Sequence, residues 1–166
     1  MKKKFDYYLA EYTYIVGAVS IGKDTNIWPF TCIRGDVAPI TIGSRCSIQE
    51  HSVLHCQHKV PLEIENDVII GHRACVHCAF IGSGALIGIG ATVLDRSRIG
   101  SECIVAAGAV VLPGTVVPDG SVIAGVPAKI IRPVADADSA YIKDVITRYV
   151  TLAQDHADGK FPPVGS

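Results

Sequence analysis

The sequence predicts a mainly β chain, a parallel β-helix of six-residue repeats with a C-terminal α-helix packed alongside. Three observations predict it: aliphatic residues recur at every sixth position, glycine often follows them directly, and the pattern gives way after Pro133 to a helical stripe.

The repeat is the dominant signal. Ile81, Ile87, Val93, Ile99, Val105, Val111, Val117 and Ile123 stand six apart without a break. Ile15, Ile21, Ile27 and Ile33 keep the same step, as do Ile42, Ile48 and Leu54, and then Ile70 and Val76. Glycine follows the aliphatic at Gly22, Gly43, Gly71, Gly82, Gly88 and Gly100. A helix would mix steps of three and four, and a plain strand would not need glycine at a fixed offset. A coil with three short flat faces satisfies both features. The aliphatics point inward, small residues turn the corners, and residues eighteen apart stack at the inter-strand spacing of about 4.8 Å. Each coil then protects the edge of the one below.

The period slips at three places. Ile33 to Ile42 is nine residues (six plus three), Leu54 to Ile70 is sixteen (twelve plus four), and Val76 to Ile81 is five. Insertions are expected to leave as loops at corners, the second within Gln57–Asp67, which carries Pro61 and several charges. The expected organisation is a β-helix domain over 1–134, a helix over 135–158 and a tail over 159–166. The helix is read from the apolar stripe Ile142, Val145, Ile146, Tyr149, Val150 and Ala153, with Asp138 or Ser139 as N-cap. The tail, with Pro162 and Pro163, is expected to be loosely ordered.

Composition excludes several functions. The formal net charge is −1, which supplies no basic stripe for nucleic acid. No apolar run approaches the roughly 20 residues that cross a bilayer. Lys2–Lys4 leads into Phe5-Asp6-Tyr7-Tyr8 rather than an apolar stretch, so a cytoplasmic chain is expected. The six cysteines are then read as reduced, mostly core-filling residues.

Histidine carries the candidate chemistry. His55 directly follows Leu54 and His77 directly follows Val76, so both occupy an outward position. They are twenty-two residues apart, one coil of eighteen plus the four-residue insertion, and should stack. Stacked imidazoles can converge on one metal at about 2.0–2.1 Å per nitrogen, although an outward pair can equally be a surface coincidence. His72 stands at the third position of the preceding repeat, and five residues carry it round a corner from His77. A three-histidine site therefore implies a neighbouring subunit, and a threefold arrangement predicts a homotrimer. Cys56 and Cys78 repeat the twenty-two-residue offset. They are alternative soft ligands or, the favoured reading, buried stacked thiols.

Ile33-Arg34-Gly35-Asp36-Val37, Ile48-Gln49, His55, Gly71-His72 and His77 together resemble the γ-class carbonic anhydrases and their close relatives, over about residues 10–132. The resemblance implies a left-handed coil, where general crossover rules would favour the opposite hand. It implies His55, His72 and His77 as metal ligands, with His72 given across a subunit interface. Gln49 would hydrogen-bond the metal's water, and Arg34 and Asp36 would form ion pairs near the interface. Trp28-Pro29 resembles the family's recurring corner. Zn²⁺ is the expected metal, and Fe²⁺ or Co²⁺ would also accept three imidazoles. Three neutral ligands leave the metal its charge and an open position, so that water ionised near pH 7 can attack CO2 to give bicarbonate. Two departures stand out. Val37 replaces a glutamate of the archetypal members, and their acidic loop is missing; Glu50, His51, His58, Glu63 and Glu65 lie in or beside the candidate loop. Two rivals remain. One is a hexapeptide acyltransferase, which Ala124-Gly125-Val126-Pro127-Ala128-Lys129 also resembles. The other is a metal-binding trimer with little or no turnover.

Overall fold

The computed structural model describes residues 1–162; positions 163–166 of the expected tail lie outside the described residues. The chain is a left-handed parallel β-helix of about six coils with one C-terminal helix. Its short strands stack into three columns. Ile27, Ile48, Ile70, Ile87, Val105 and Ile123 are successive partners on one face. Ile15, Ile33, Leu54, Val76, Val93 and Val111 form the second. Ile21, Ile42, Ile64, Ile81, Ile99 and Val117 form the third. From Ile27 through Val111 these inward side chains are almost wholly excluded from solvent. Burying each contributes roughly 1.5–3 kcal/mol, which is why the six-residue period is so strict.

The slips resolve differently from one another. The sixteen-residue gap hides a rung, because Ile64 on the strand Leu62–Ile64 pairs with both Ile42 and Ile81. The extra four residues fall in the connection between Leu54 and Leu62, which overlaps the expected window only at 57–61; the rest of that window carries the strand Leu62–Ile64. The nine-residue gap, by contrast, does not leave as a loop. Cys32–Ile42 is one continuous strand that runs round a corner, and its three extra residues are absorbed as a bulge: Gly17 pairs with Gly35, but Val19 pairs with Ile40. Pairing resumes beyond the bulge, while Asp36, Val37 and Pro39 within it are exposed.

Corners put one residue per turn into the left-handed region, including Asp24 (φ 58°), Arg45 (φ 56°), Asp67 (φ 60°) and Glu102 (φ 54°). Each costs roughly 1–2 kcal/mol, offset by coil-to-coil backbone bonds such as Arg45 N–H to Lys23 O at 2.8 Å and Asp67 N–H to Ser44 O at 2.9 Å. The glycines after the aliphatics serve a second purpose. A Cβ on Gly82 would lie 2.5 Å from the Ser101 nitrogen, so the coils meet there too closely for a side chain.

The C-terminal helix spans Asp136–Ala157. Ile142, Val145 and Ile146 cover Ile69, with Leu86, Ile104 and Tyr149 around them, so this face is apolar outside as well as inside. Trp28 stands edge-on to Tyr149, with ring centroids 5.6 Å apart, which gives the expected corner residue its packing role. The expected N-cap is corrected. The helix begins earlier, with Ala135 at the cap, and Asp138 acts from the third helical position. Its carboxylate accepts the Ala135 N–H at 2.9 Å and pairs with Arg132 at 2.5 Å. Beyond the helix, Lys160 Nζ reaches Asp155 at 2.5 Å and Phe161 lies against His156.

The Arg132 guanidinium, and after it the Ala135 N–H, hold the Asp138 carboxyl down at about 2, from an ordinary 3.8. A carboxyl depressed on folding stabilises above its ordinary pKa and loses that contribution as pH falls through the folded value. Asp138→Ala should therefore lower the thermal midpoint at neutral pH. That difference from wild type should shrink from about pH 4 down to pH 2, as measured by circular dichroism melts across the series.

Candidate metal centre

His55 and His77 emerge from adjacent rungs of one face. Val53 pairs with Cys75 and Leu54 with Val76, and His55 N–H then bonds Val76 O at 3.0 Å. The register places the two imidazoles one above the other, with centroids 5.0 Å apart and planes tilted by 51°. His55 Nδ1 and His77 Nε2 approach to 3.0 Å. Two nitrogens on one tetrahedral metal, at about 2.0–2.1 Å each, stand about 3.3–3.4 Å apart. After a small rotation of either ring, the pair could hold a divalent ion between these two nitrogens. The side chains are 18% and 30% exposed, open to an incoming ligand.

Carboxylates hold the outer sides of both rings. Asp36, on the bulge of Cys32–Ile42, lies with Oδ1 3.0 Å from His55 Nε2 and Oδ2 2.6 Å from the Arg34 guanidinium. The His55 hydrogen bond, and less strongly the Arg34 charge, hold the Asp36 carboxyl below its ordinary range, against the opposing effect of burial. Asp95 bonds Nδ1 of His77 from the next coil. The expected pair Arg34 and Asp36 is thus formed within one chain and leads directly to His55.

His72 stands elsewhere. It follows the strand Ile69–Ile70 at the corner before Cys75–Val76, whereas His77 follows that strand, so the two flank one face. Its Nδ1 lies 2.6 Å from Glu50 Oε2, and its backbone N–H donates to Gln49 Oε1 at 3.2 Å. Gln49 is almost buried and lines the same groove as Tyr149, whose phenol pKa burial pushes up. Gln49 and His72 line a groove of about 820 Å³ between the C-terminal helix and the coil. Among the described residues, no group of three His, Cys, Asp or Glu is placed to hold a metal ion within one chain. The structure therefore brings His55, His77, Asp36 and Arg34 together at one end of the face and His72 with Gln49 at the other.

Several partners were not read from the sequence. Asp95 lies eighteen residues after His77 and Glu50 twenty-two before His72, so the stacking offsets that paired the histidines also point to both carboxylates. Of the other loop candidates, Glu65 caps Ser83 N–H at 2.8 Å and His51 stacks on Phe30. Cys75 and Cys78 are three apart, a ligand-like spacing overlooked when the cysteines are read as core filler. Both are free, Cys78 is buried, and burial pushes its thiol up to about 12. Cys56, the other half of the stacked pair, is also buried, with its thiol shifted up by burial.

The chain is 41% identical over 147 residues to the carbonic anhydrase of Geobacillus kaustophilus, covering 89% of this chain and 81% of that one. The chain belongs to the γ-class carbonic anhydrase-like family. It is also 35% identical over 158 residues to a mitochondrial γ carbonic anhydrase 2 of Arabidopsis thaliana, of which it spans 57%. A family model described as bacterial transferase hexapeptide (six repeats) matches residues 78–113. A solved hexapeptide transferase family protein from Anaplasma phagocytophilum superposes with a TM-score of 0.86 at 32% identity, covering 91% of this chain and 89% of that one. Membership in this γ-class-like family thus comes with close structural kinship to transferases.

Proposed function

We propose that this protein catalyses the reversible hydration of CO2 to bicarbonate at a divalent metal held between subunits of a homotrimer. The observation that carries the reading is the stacked pair of His55 and His77, with facing ring nitrogens 3.0 Å apart, in a chain 41% identical to a carbonic anhydrase. His72 of a neighbouring copy is the third ligand: it flanks the same face from the opposite corner, which is where a threefold packing brings one edge against the next. Three neutral imidazoles fit Zn²⁺, with Fe²⁺ or Co²⁺ as alternatives. A metal in that site supplies a water activated for attack on CO2 near neutral pH.

The chain's own residues orient and exclude. Asp36 fixes the His55 ring, and Arg34 in turn holds Asp36 through its second oxygen. Gln49 arrives with His72 and offers an amide that can both donate to and accept from a reacting oxygen. Val37 carries no proton, so proton export has no carboxylate at that position.

Stopped-flow CO2 hydration on metal-replete trimer is the direct test; no rate above buffer would leave a metal-binding trimer without turnover. A hexapeptide transferase among the structural relatives keeps acyl transfer as the second reading. Acetyl-CoA consumption without bound metal would favour it. The shared site has its own prediction. His72→Ala and His77→Ala subunits, unfolded together and refolded, should regain about a quarter to a third of the metal sites, because some interfaces then pair two intact halves. Confirmed mixed trimers with no recovered metal would place all ligands in one chain.

A further inference from the structure

We propose that Asp95 is a positioning residue for the metal centre: its carboxylate accepts the Nδ1–H of His77 and so leaves the Nε2 lone pair facing His55. The inference rests on reading His55 and His77 as metal ligands.

A neutral imidazole carries one proton, on either nitrogen, and only the bare nitrogen binds a metal. Which nitrogen is bare depends on what holds the other. Asp95 bonds Nδ1 of His77, while Nε2 of the same ring stands 3.0 Å from His55 Nδ1. A carboxylate is a pure acceptor, so it selects the tautomer protonated at Nδ1. The opposite tautomer would set a lone pair against Asp95 and aim a proton at the metal position.

The surroundings reserve Asp95 for this contact. It lies one coil beyond His77, just after the strand Thr92–Val93, and its backbone oxygen accepts the Gly114 N–H at 2.8 Å. The adjacent cation does not neutralise it: Arg96 turns away at a φ of 55° and donates through Nε to Gln57 at 2.8 Å. The Gly114 bond uses only backbone, so substituting the Asp95 side chain keeps the corner intact. Carboxylates bonded to the outer nitrogen of a metal-ligating histidine typically change metal affinity about 10- to 100-fold.

Two measurements on the full-length protein test this. Nitrogen NMR of ¹⁵N-histidine-labelled, metal-stripped protein at about pH 8.5, where imidazoles are neutral, reads the tautomer directly. The His77 signals are assigned by their loss in His77→Ala. Wild type should show His77 protonated at Nδ1, and Asp95→Ala should move the proton wholly or partly to Nε2. Zn²⁺ affinity by chelator competition should fall about 10- to 100-fold in Asp95→Ala and less in Asp95→Asn, whose amide oxygen can still accept. A wild-type His77 protonated at Nε2, or a tautomer and affinity unchanged in Asp95→Ala, would overturn the proposal. Wild type that binds no Zn²⁺ yet shows the tautomer shift would sink the metal reading while leaving the Asp95–His77 pairing in place. Tight Zn²⁺ binding indifferent to Asp95→Ala would do the reverse.

Discussion

On the proposed function, His77→Ala is expected to leave the purified protein without bound metal and to bring CO2 hydration down to the buffer rate. His77 is one of two imidazoles that a single chain presents to the same point, 3.0 Å apart at the facing nitrogens. Losing an outer partner of a ligand typically costs about 10- to 100-fold in affinity; losing the ligand itself removes a direct bond and should exceed about 100-fold. Elemental analysis after dialysis and stopped-flow hydration of the same preparation read both consequences. The fold should survive, because the His77 ring lies outside the coil while its backbone N–H still bonds Val93 O at 2.8 Å. His77→Ala protein with a metal content as full as wild type's would exclude this residue as a ligand.

Ile87→Ala is expected to cost a large part of the fold's stability. Ile87 is fully buried, stacked between Ile70 below and Val105 above. The flanking rungs are fixed by backbone pairing and cannot collapse inward, so truncation leaves a cavity as well as removing apolar contact. The expected loss is about 2–5 kcal/mol, against about 0.5–1.5 kcal/mol for Ile87→Val. Urea unfolding at one fixed protein concentration measures it, since in the proposed trimer apparent stability would depend on concentration. Equal losses for the two variants would mean that the column tolerates voids.

The repeat was legible because a stacked column demands the same side-chain type at every coil, and that demand is local in sequence. Ile64 stands six before Ile70 and so keeps the period on that side; the insertion breaks the count only toward Leu54, ten residues earlier, and that break hides the rung. The bulge at Asp36 was misread as a loop because an insertion does not declare whether its backbone stays paired. Asp95 is not legible in the sequence, and Glu50 is legible there only as one of several residues in or beside the loop, because an acid near a corner looks like any solvated acid until a ring nitrogen faces it.

By itself the sequence determined the coil, the place of the helix and the stacking of His55 on His77, since all three follow from hydrophobic period and residue arithmetic. Only the tertiary structure decided that Cys32–Ile42 turns a corner unbroken, that Asp36 and Asp95 hold the two rings from outside, and that His72 and Gln49 flank the same face from its other side. Those contacts join residues that lie close only after the chain has wound once round the coil. Burial sets the period, but the direction of each polar side chain is set by whichever hydrogen-bond partner the neighbouring coil delivers.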